Sequence, residues 1–404
     1  MEQQELTLSM KEKNRIEIVQ AFAAHKVSLQ DVAKVLERSE RTVYRMKAKL
    51  HQQGMEGLIH GNKGRRSQRA TPDRVKKKVL KLVEGKYAGI NDTHLCEVLE
   101  RDQGIHIGRE TLRKLLRGEG IKPKRKRRSP RYRSRRERKP AFGMMLQIDA
   151  SPHDWLEGRA PWLTLVGAID DATNFRWARF FESETTWAYL ELMGQVFASH
   201  GLPRSLYSDR HSIFFVTREP TIVEQLTDSA PVTQFGRAMR ELDVRIIPAY
   251  SPQAKGRVER MWGVLQDRLV VELRLAGAAN IQQANEVLER VLADINSRFR
   301  EEPRASENLF RPAPSRSQLD RIMCLKDQRT VAKDHTVSFE GLLLQIPPSR
   351  RFHSLAGRRV DVLQLQDGTI RIEHRGNCVA TFSFEAVTRL VKTKLAGKTQ
   401  LKVA

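Results

Sequence analysis

The spacing of apolar residues divides the chain into three parts. Up to about residue 121 apolar side chains recur every three or four positions, which is typical of amphipathic helices. Residues 144–247 hold five short apolar runs, three of them before the first helical segment, and residues 329–384 hold short runs separated by glycine turns. The pattern therefore predicts a multidomain protein with N-terminal all-α helix-turn-helix units, a central α/β core with a mixed five-stranded sheet, and a C-terminal small all-β barrel at residues 325–388.

Residues 1–60 are predicted to form a helix-turn-helix DNA-binding domain. Ser28 can cap a helix, because Asp31 follows it at capping-box spacing. A second helix places Val43, Met46 and Leu50 on its buried side. Its exposed side carries the residues that we predict to bind DNA, which are Arg41, Thr42, Arg45 and Lys49. An ordinary helical hairpin with a solvated basic face is the alternative interpretation.

Residues 70–121 repeat this pattern and predict a second, winged helix-turn-helix. In its last helix Leu112, Leu115 and Leu116 form the apolar side, whereas Arg109 and Arg113 lie on the other side. We predict that both arginines contact DNA, so that the two units together read a longer site.

Residues 122–140 are predicted to be a basic linker that follows DNA phosphates. Twelve of the eighteen residues from Lys122 to Lys139 are lysine or arginine, and such a run cannot bury a core. The predicted DNA contacts are Lys124, Arg125, Lys126, Arg127 and Arg128. The alternative is a linker that only keeps the chain soluble.

The charge of the whole chain points to the same partner. The formal net charge is +24 and the pI about 10.3, which predicts a polyanion such as double-stranded DNA. Residues 141–300 hold 17 Lys+Arg against 20 Asp+Glu, so the excess lies in the flanking parts, including a basic tail at residues 389–404. The three cysteines are far apart, and no apolar run reaches the roughly 18 residues of a membrane span. We therefore expect no membrane partner and a cytoplasmic, nucleoid-associated protein of a bacterium.

Three carboxylates are the candidate chemistry of residues 141–300. Asp149 and Asp209 each end a predicted strand, and Glu259 lies about two turns into a helix that Ser251 and Pro252 can begin. Two strand-end aspartates and a helical glutamate can hold a pair of divalent cations, which catalyse in-line attack on a phosphodiester. We expect two Mg²⁺ ions, with Mn²⁺ able to replace them, and no nucleotide cofactor.

Other residues near these carboxylates have weaker predicted roles. Lys255, one turn before Glu259, is predicted to hold a DNA phosphate. Asp170 and Asp171 are predicted to form a turn after the second strand, with a supporting role near the site left open.

The region from Gly143 to Phe299 resembles the integrase catalytic core of retroviral-type integrases and bacterial insertion-sequence transposases, above all the ISNCY group. The matching motifs are Gln147-Ile-Asp-Ala150, Ala168-Ile-Asp-Asp-Ala-Thr173, Tyr207-Ser-Asp-Arg210 and Ser251-Pro-Gln-Ala-Lys-Gly-Arg-Val-Glu-Arg260. The resemblance implies an RNase H-like fold with a DDE triad of Asp149, Asp209 and Glu259. The last two members are separated by 49 residues, more than is usual in the family, and an insertion near residues 214–233 accounts for the excess.

The resemblance implies a DNA transposase. Such an enzyme binds the terminal inverted repeats of an insertion sequence, cleaves a strand at each transposon end and transfers it to target DNA, as a homo-oligomer on DNA. Two alternatives remain open at this point: a DNA-binding regulator with a decayed integrase core, and a host RNase H-like nuclease.

Overall fold

The computed structural model describes residues 9–60, 63, 70–124, 136–216, 218–219, 231–249, 256–349 and 354–388. The chain forms two compact units, Met1–Lys81 and Leu82–Ala404. None of the described helices is long and apolar enough to cross a membrane.

The first unit contains the predicted helix-turn-helix. Its helices are α1 Met10–Ala23, α2 Leu29–Val35 and α3 Glu40–Gln53, followed by a 3-10 turn at Gly54–Leu58. Ser28 caps α2 by accepting a hydrogen bond from the Asp31 N–H at 3.2 Å. Phe22, Val32 and Val43 pack together in a small core, which joins one side of each helix. The basic side of α3 is thereby left facing outward.

Three further helices follow in residues 70–124. They are α4 Asp73–Glu84, which begins in the first unit and ends in the second, α5 Asp92–Gln103 and α6 Arg109–Gly118. Leu95, Leu99, Leu112 and Leu116 are fully or almost fully buried on α5 and α6. The described stretch 70–124 contains no strand, so the predicted wing is wrong. Its polar residues after α6 lead directly into the basic linker.

The core sheet confirms all five predicted strands. They are β1 Leu146–His153, β2 Leu163–Asp170, β3 Arg176–Phe181, β4 Ser205–Ser208 and β5 Arg245–Pro248, in the order β3-β2-β1-β4-β5. The first three strands are antiparallel to one another, whereas β4 runs parallel to β1 and β5 parallel to β4. The parallel pairs need crossover connections, and helices supply them. This is the RNase H-like arrangement.

Helices cover both faces of the sheet. One face packs on α7 Thr186–His200 and α8 Gln234–Glu241, and the other on α9 Gly256–Leu275 and α10 Ile281–Phe299. In β1 the residues alternate between these two faces, because successive side chains of a strand point to opposite sides. Leu146 and Ile148 enter the core beneath α7, so Gln147, Asp149 and Ser151 face α9.

The C-terminal part is built of strands but is not the predicted five-stranded barrel. After α11 Arg316–Ile322 it contains β6 Leu325–Thr330, β7 Thr336–Phe339, β8 Leu342–Gln345, β9 Arg359–Gln364, β10 Ile370–His374 and β11 Asn377–Phe382. Among the described residues these strands form a four-stranded sheet, β11-β10-β9-β6, and a separate β7-β8 hairpin. Strand β6 was not predicted, since Leu325-Lys-Asp-Gln-Arg-Thr330 has a single apolar residue.

Candidate active site

Asp149 lies on β1, and Asp209 directly follows the neighbouring parallel strand β4. The ladder pairs Leu146 with Leu206 and Gln147 with Tyr207, so each aspartate is two positions beyond a residue of the last pair. Neighbouring strands lie about 4.8 Å apart. The Asp149 side chain points to the face that Gln147 occupies, which is the face covered by α9.

A buried tyrosine is close to both aspartates. Burial raises the pKa of Tyr189, and the neighbouring Glu184 carboxylate and the charges of Asp149 and Asp209 raise it further. Its hydroxyl donates to Glu184 at 2.9 Å. The charges of both aspartates thus act on the same buried hydroxyl group.

Glu259 lies in the first described turn of α9, which runs along β1. The Val258 N–H donates to Gln147 Oε1 at 3.3 Å, Trp262 Nε1 donates to Asp149 Oδ2 at 2.9 Å, and Gln266 Nε2 donates to Ser151 Oγ at 3.2 Å. Four helical residues rise about 6 Å, and two strand residues rise about 6.6 Å. The two repeats match, so each helical turn meets the next inward-facing residue of the strand.

Gly167 on β2 provides room for this contact. It pairs with Asp149 across the antiparallel ladder. A Cβ atom added at Gly167 would lie 2.8 Å from Trp262 Cη2 and 2.9 Å from Met261 Cε, which is shorter than van der Waals contact. The absence of a side chain at this position lets the Trp262 ring lie against β2 and reach Asp149.

The structure does not bring the three carboxylates into a closed cluster. Within the part of the chain that the structure describes, no group of three His, Cys, Asp or Glu side chains is arranged so that it could hold a metal ion. Asp149 and Asp209 are half-buried and Glu259 is exposed. Their oxygen donors are of the type that Mg²⁺ prefers. Ser251, Pro252 and Lys255, which the sequence analysis placed before Glu259, lie outside the described residues.

Asp170 forms the turn after β2, as predicted. It is completely buried and accepts hydrogen bonds from the N–H groups of Gly143, Ala172 and Thr173 at 3.0, 3.1 and 2.8 Å. Burial raises the pKa of Asp170, although the hydrogen bonds from Thr173 and Gly143 oppose the rise. The Asp170 carboxylate therefore holds the backbone of the turn in place through these hydrogen bonds.

Asp171 has a different environment that the sequence analysis did not foresee. It too is completely buried, but it interacts with side chains of other elements. Arg257 Nη1 and Gln147 Nε2 each donate to its Oδ1 at 2.8 Å, and Arg136 forms an ion pair with the same oxygen. Gln147 and Arg257 also belong to β1 and α9, the elements that carry Asp149 and Glu259.

The predicted DNA-binding residues occupy several different environments. Arg41, Arg45 and Lys49 are exposed on α3, and Thr42 lies 2.9 Å from the Ser39 hydroxyl. Arg109 on α6 is exposed as well. The four residues Arg125, Lys126, Arg127 and Arg128 lie outside the described residues.

Two of the predicted DNA contacts are engaged in ion pairs. Arg113 donates to both oxygens of Glu110 at 2.8 and 2.7 Å. Lys124 lies 3.0 Å from Asp267 of α9. Both basic side chains would have to exchange these acids for phosphates in order to bind DNA.

Helix α5 is fixed to α9 and α10 by ion pairs, another feature that local sequence did not show. Glu97 lies 2.5 Å from both Arg268 and Arg298. Burial alone would raise the pKa of Glu97, but the hydrogen bonds from Arg298 and Arg268 lower it to about 2. Glu272 pairs in the same way with His94 at 2.8 Å and with Arg101 at 3.0 Å.

Fold and site together define an RNase H-like protein with an N-terminal helix-turn-helix, and comparison with known proteins gives the family. The homeodomain-like domain family matches residues 9–59. Over 400 residues the chain is 32% identical to a Sinorhizobium fredii protein named as the transposase y4bF, a match that covers 98% of this chain and 86% of that protein. It is 28% identical to the transposase for insertion sequence IS1202 of Streptococcus pneumoniae, over 89% of this chain and 84% of that one. The chain therefore belongs to the transposases of insertion sequences.

Among solved structures, the catalytic core domain of the HTLV-2 integrase in complex with magnesium is similar to part of the chain. The match covers 39% of this chain and 89% of that one, at 14% identity and a TM-score of 0.30.

Proposed function

We propose that this transposase cleaves the ends of an insertion sequence and joins them to target DNA, with Asp149, Asp209 and Glu259 as its catalytic carboxylates. The observation that carries the proposal is that strand β4 and helix α9 both contact β1, the strand that carries Asp149. The β1-β4 ladder supports a position for Asp209 close to it, since Gln147 pairs with Tyr207 two residues before each aspartate. The β1-α9 hydrogen bonds place Glu259 one turn before Trp262, which contacts Asp149.

The three carboxylates would hold two Mg²⁺ ions, or Mn²⁺ in their place. When bound, such a pair of ions lowers the pKa of the attacking hydroxyl and stabilises the charge on the leaving oxygen. Trp262 fixes the orientation of the Asp149 carboxylate through its Nε1–H. Glu259 is exposed and therefore accessible to DNA.

The chemistry consists of two displacements at phosphorus. In the first, a water oxygen attacks a phosphodiester at the transposon end, the P–O3′ bond breaks, and the 3′ oxygen leaves as a hydroxyl. In the second, this 3′-hydroxyl attacks a phosphodiester of the target, forming a new P–O bond as the old P–O3′ bond breaks. Neither step needs a covalent enzyme intermediate or a nucleotide cofactor.

The substrate would be held by the basic parts of the chain. We infer that α3 reads the terminal inverted repeats through Arg41, Thr42, Arg45 and Lys49, since this helix presents them on its outer side. Phosphate contacts would come from Arg109 and Arg113, from the linker residues Lys124 to Arg128, and from Lys255 near the site. Exchanging the Glu110 partner of Arg113 for a phosphate costs little, because exposed ion pairs contribute about 1 kcal/mol or less.

The protein would act as a homo-oligomer on DNA, because two transposon ends must be joined in one reaction. Its place of action would be the bacterial cytoplasm, at the nucleoid. Sedimentation of the protein on paired end DNA tests this. Complexes that contain a single subunit would contradict it.

Cleavage of end DNA tests the catalytic assignment. Asp149→Asn, Asp209→Asn and Glu259→Gln should each abolish cleavage with Mg²⁺ and Mn²⁺ while DNA binding is kept. Glu289→Gln is the matched control, since Glu289 is an exposed glutamate on the neighbouring helix α10. Variants as active as the wild type would refute the assignment.

The same experiment separates the alternatives. A wild-type protein that binds end DNA and never cleaves it would be a regulator with a decayed core. Cleavage without strand transfer into a target plasmid would instead indicate an RNase H-like nuclease.

A further inference from the structure

We propose that Asp171 is a positioning residue for strand cleavage, which acts through Gln147 and Arg257 to set the first turn of α9 and thereby Glu259. The inference deepens the function proposed above and rests on it, since it gives a role to the carboxylates assigned there.

Every group around Asp171 is a hydrogen-bond donor. Oδ1 accepts from Gln147 Nε2 and from Arg257 Nη1, both at 2.8 Å, and pairs with Arg136. Oδ2 accepts from the Lys139 N–H at 2.7 Å. A completely buried carboxylate is stable only when it is paired in this way. The cluster is therefore built around a negative charge, and a neutral group of the same size cannot replace it.

The charge of Asp171 determines how the amide of Gln147 is oriented. A carboxylate only accepts hydrogen bonds, so the NH₂ group of Gln147 must face it and the Oε1 atom must face the other way. Oε1 then accepts from the Val258 N–H at 3.3 Å. Gln147 thus links Asp171 to the main chain next to Glu259.

The side chain of Arg257 restrains the same turn through its contacts with Asp171 and Arg136. Only 13% of that side chain is exposed, and its second terminal nitrogen donates to the Arg136 carbonyl at 3.4 Å. Val258 and Arg257 are the two residues immediately before Glu259. The two contacts therefore restrain the backbone from which the glutamate projects.

The cluster touches the elements that bear all three carboxylates. Gln147 is on β1 with Asp149, Arg257 is on α9 with Glu259, and the Arg136 guanidinium lies 5.9 Å from the ring centre of Tyr207 on the strand that leads to Asp209. A displacement of about 1 Å at a reacting group can lower the rate by about two orders of magnitude. A small shift of the first turn of α9 is thus enough to affect cleavage.

The rest of α9 is held independently of Asp171. Trp262 and Gln266 donate to β1 further along the helix, and Leu265 and Leu269 are fully buried beneath it. Loss of the Asp171 contacts should therefore loosen the first turn and leave the remainder of the helix in place. A local change of this kind distinguishes a positioning role of Asp171 from a role in the stability of the whole fold.

The test measures both the turn and the reaction in the full-length protein. The variants are Asp171→Asn, Arg257→Gln and Gln147→Met, the last of which keeps the buried volume and removes both the donor to Asp171 and the acceptor of the Val258 N–H. Glu373→Gln is the matched control, because Glu373 is a buried acid of the C-terminal sheet that pairs with Arg321 and Arg371. The readouts are hydrogen exchange of α9 without metal, end-DNA affinity, single-turnover cleavage and its Mg²⁺ dependence.

We expect faster exchange in residues 256–259 and unchanged exchange in the second half of α9. Cleavage should fall by at least about tenfold, half-saturation should need several-fold more Mg²⁺, and end-DNA affinity should stay within about twofold of the wild type. The double variant Asp171→Asn with Arg257→Gln should be no slower than the slower single variant, since the two residues act as a unit. Glu373→Gln should lower the unfolding temperature without changing the Mg²⁺ dependence.

Three results would overturn the inference. These are wild-type exchange in the first turn, an unchanged Mg²⁺ dependence in all three variants, or a loss of cleavage that only follows the folded fraction. Should Asp171→Asn fail to fold, Gln147→Met decides by the same readouts. Asp149→Asn is measured alongside: if it cleaves normally, the proposed function fails, whereas if it is inactive and Asp171→Asn is normal, only the positioning role fails.

Discussion

Replacing Gly167 by alanine should disturb Asp149 without touching a carboxylate. The added Cβ would lie 2.8 Å from Trp262 Cη2, 2.9 Å from Met261 Cε and 3.3 Å from the Trp177 carbonyl oxygen. The methionine methyl can move away by a rotation. The indole is rigid, so the Trp262 ring as a whole must shift by several tenths of an ångström.

The expected cost follows from overpacking in a buried region. Inserting a methyl group into a filled core costs about 1–3 kcal/mol. A shifted indole also weakens the 2.9 Å hydrogen bond from Trp262 Nε1 to Asp149 Oδ2, and a hydrogen bond to a charged group contributes about 1.5–3 kcal/mol. We therefore expect Gly167→Ala to be destabilised by about 1–3 kcal/mol and to cleave end DNA more slowly, with unchanged DNA affinity.

Urea unfolding and single-turnover cleavage check this expectation. Trp262→Phe is the comparison, because it removes the hydrogen bond and leaves a smaller ring. In the double variant the phenyl ring leaves room for the new methyl group, so the two destabilisations should be clearly less than additive. Fully additive effects, or a Gly167→Ala protein as stable and as active as the wild type, would show that the close packing at Gly167 does not control Trp262.

Three further predictions concern other parts of the chain. Arg268 and Arg298 hold the pKa of Glu97 at about 2, below its ordinary value of 4.5. This carboxylate should therefore stabilise the fold above about pH 4.5 and lose that effect as the pH falls toward 2. In urea unfolding, Glu97→Gln should lower the free energy of unfolding by about 1 kcal/mol at pH 7 and by little at low pH. Arg45→Ala on α3 should weaken binding to end DNA by about 1–3 kcal/mol in mobility-shift titrations, with a smaller effect on scrambled DNA; an equal loss on both would contradict base recognition. Chelation of divalent cations with EDTA should stop cleavage and leave end-DNA binding intact, and cleavage that persists would exclude the metal-dependent mechanism.

The strands were predictable because their signal is local. Each run of apolar residues in the core ended within a few residues of the observed strand, and the Ser28 cap of α2 was found from two residues three positions apart. Where the local signal was weak the prediction failed. Strand β6 consists of mostly polar residues and pairs with β9 through its backbone, so its existence depends on a partner more than thirty positions away.

The C-terminal barrel and the wing failed for a related reason. Strand-like patterns show that strands form, but not which edges they pair with. The four-stranded sheet and the β7-β8 hairpin satisfy the same alternation as a closed barrel would. In residues 70–124 no strand packs against the helices, and ion pairs join α5 to the helices α9 and α10.

The amino-acid sequence by itself determined the element types, the basic face of α3, and the three carboxylates with their settings at strand ends and on a helix. These follow from periodicity, capping and composition, which involve residues close together in the chain. Only the tertiary structure decided that β1 and β4 pair in parallel, that Gly167 admits Trp262, and that Asp171 contacts Gln147 and Arg257. Asp171 and Arg257 are 86 positions apart. Whether two such residues meet depends on how the sheet and α9 pack, and no local pattern records it.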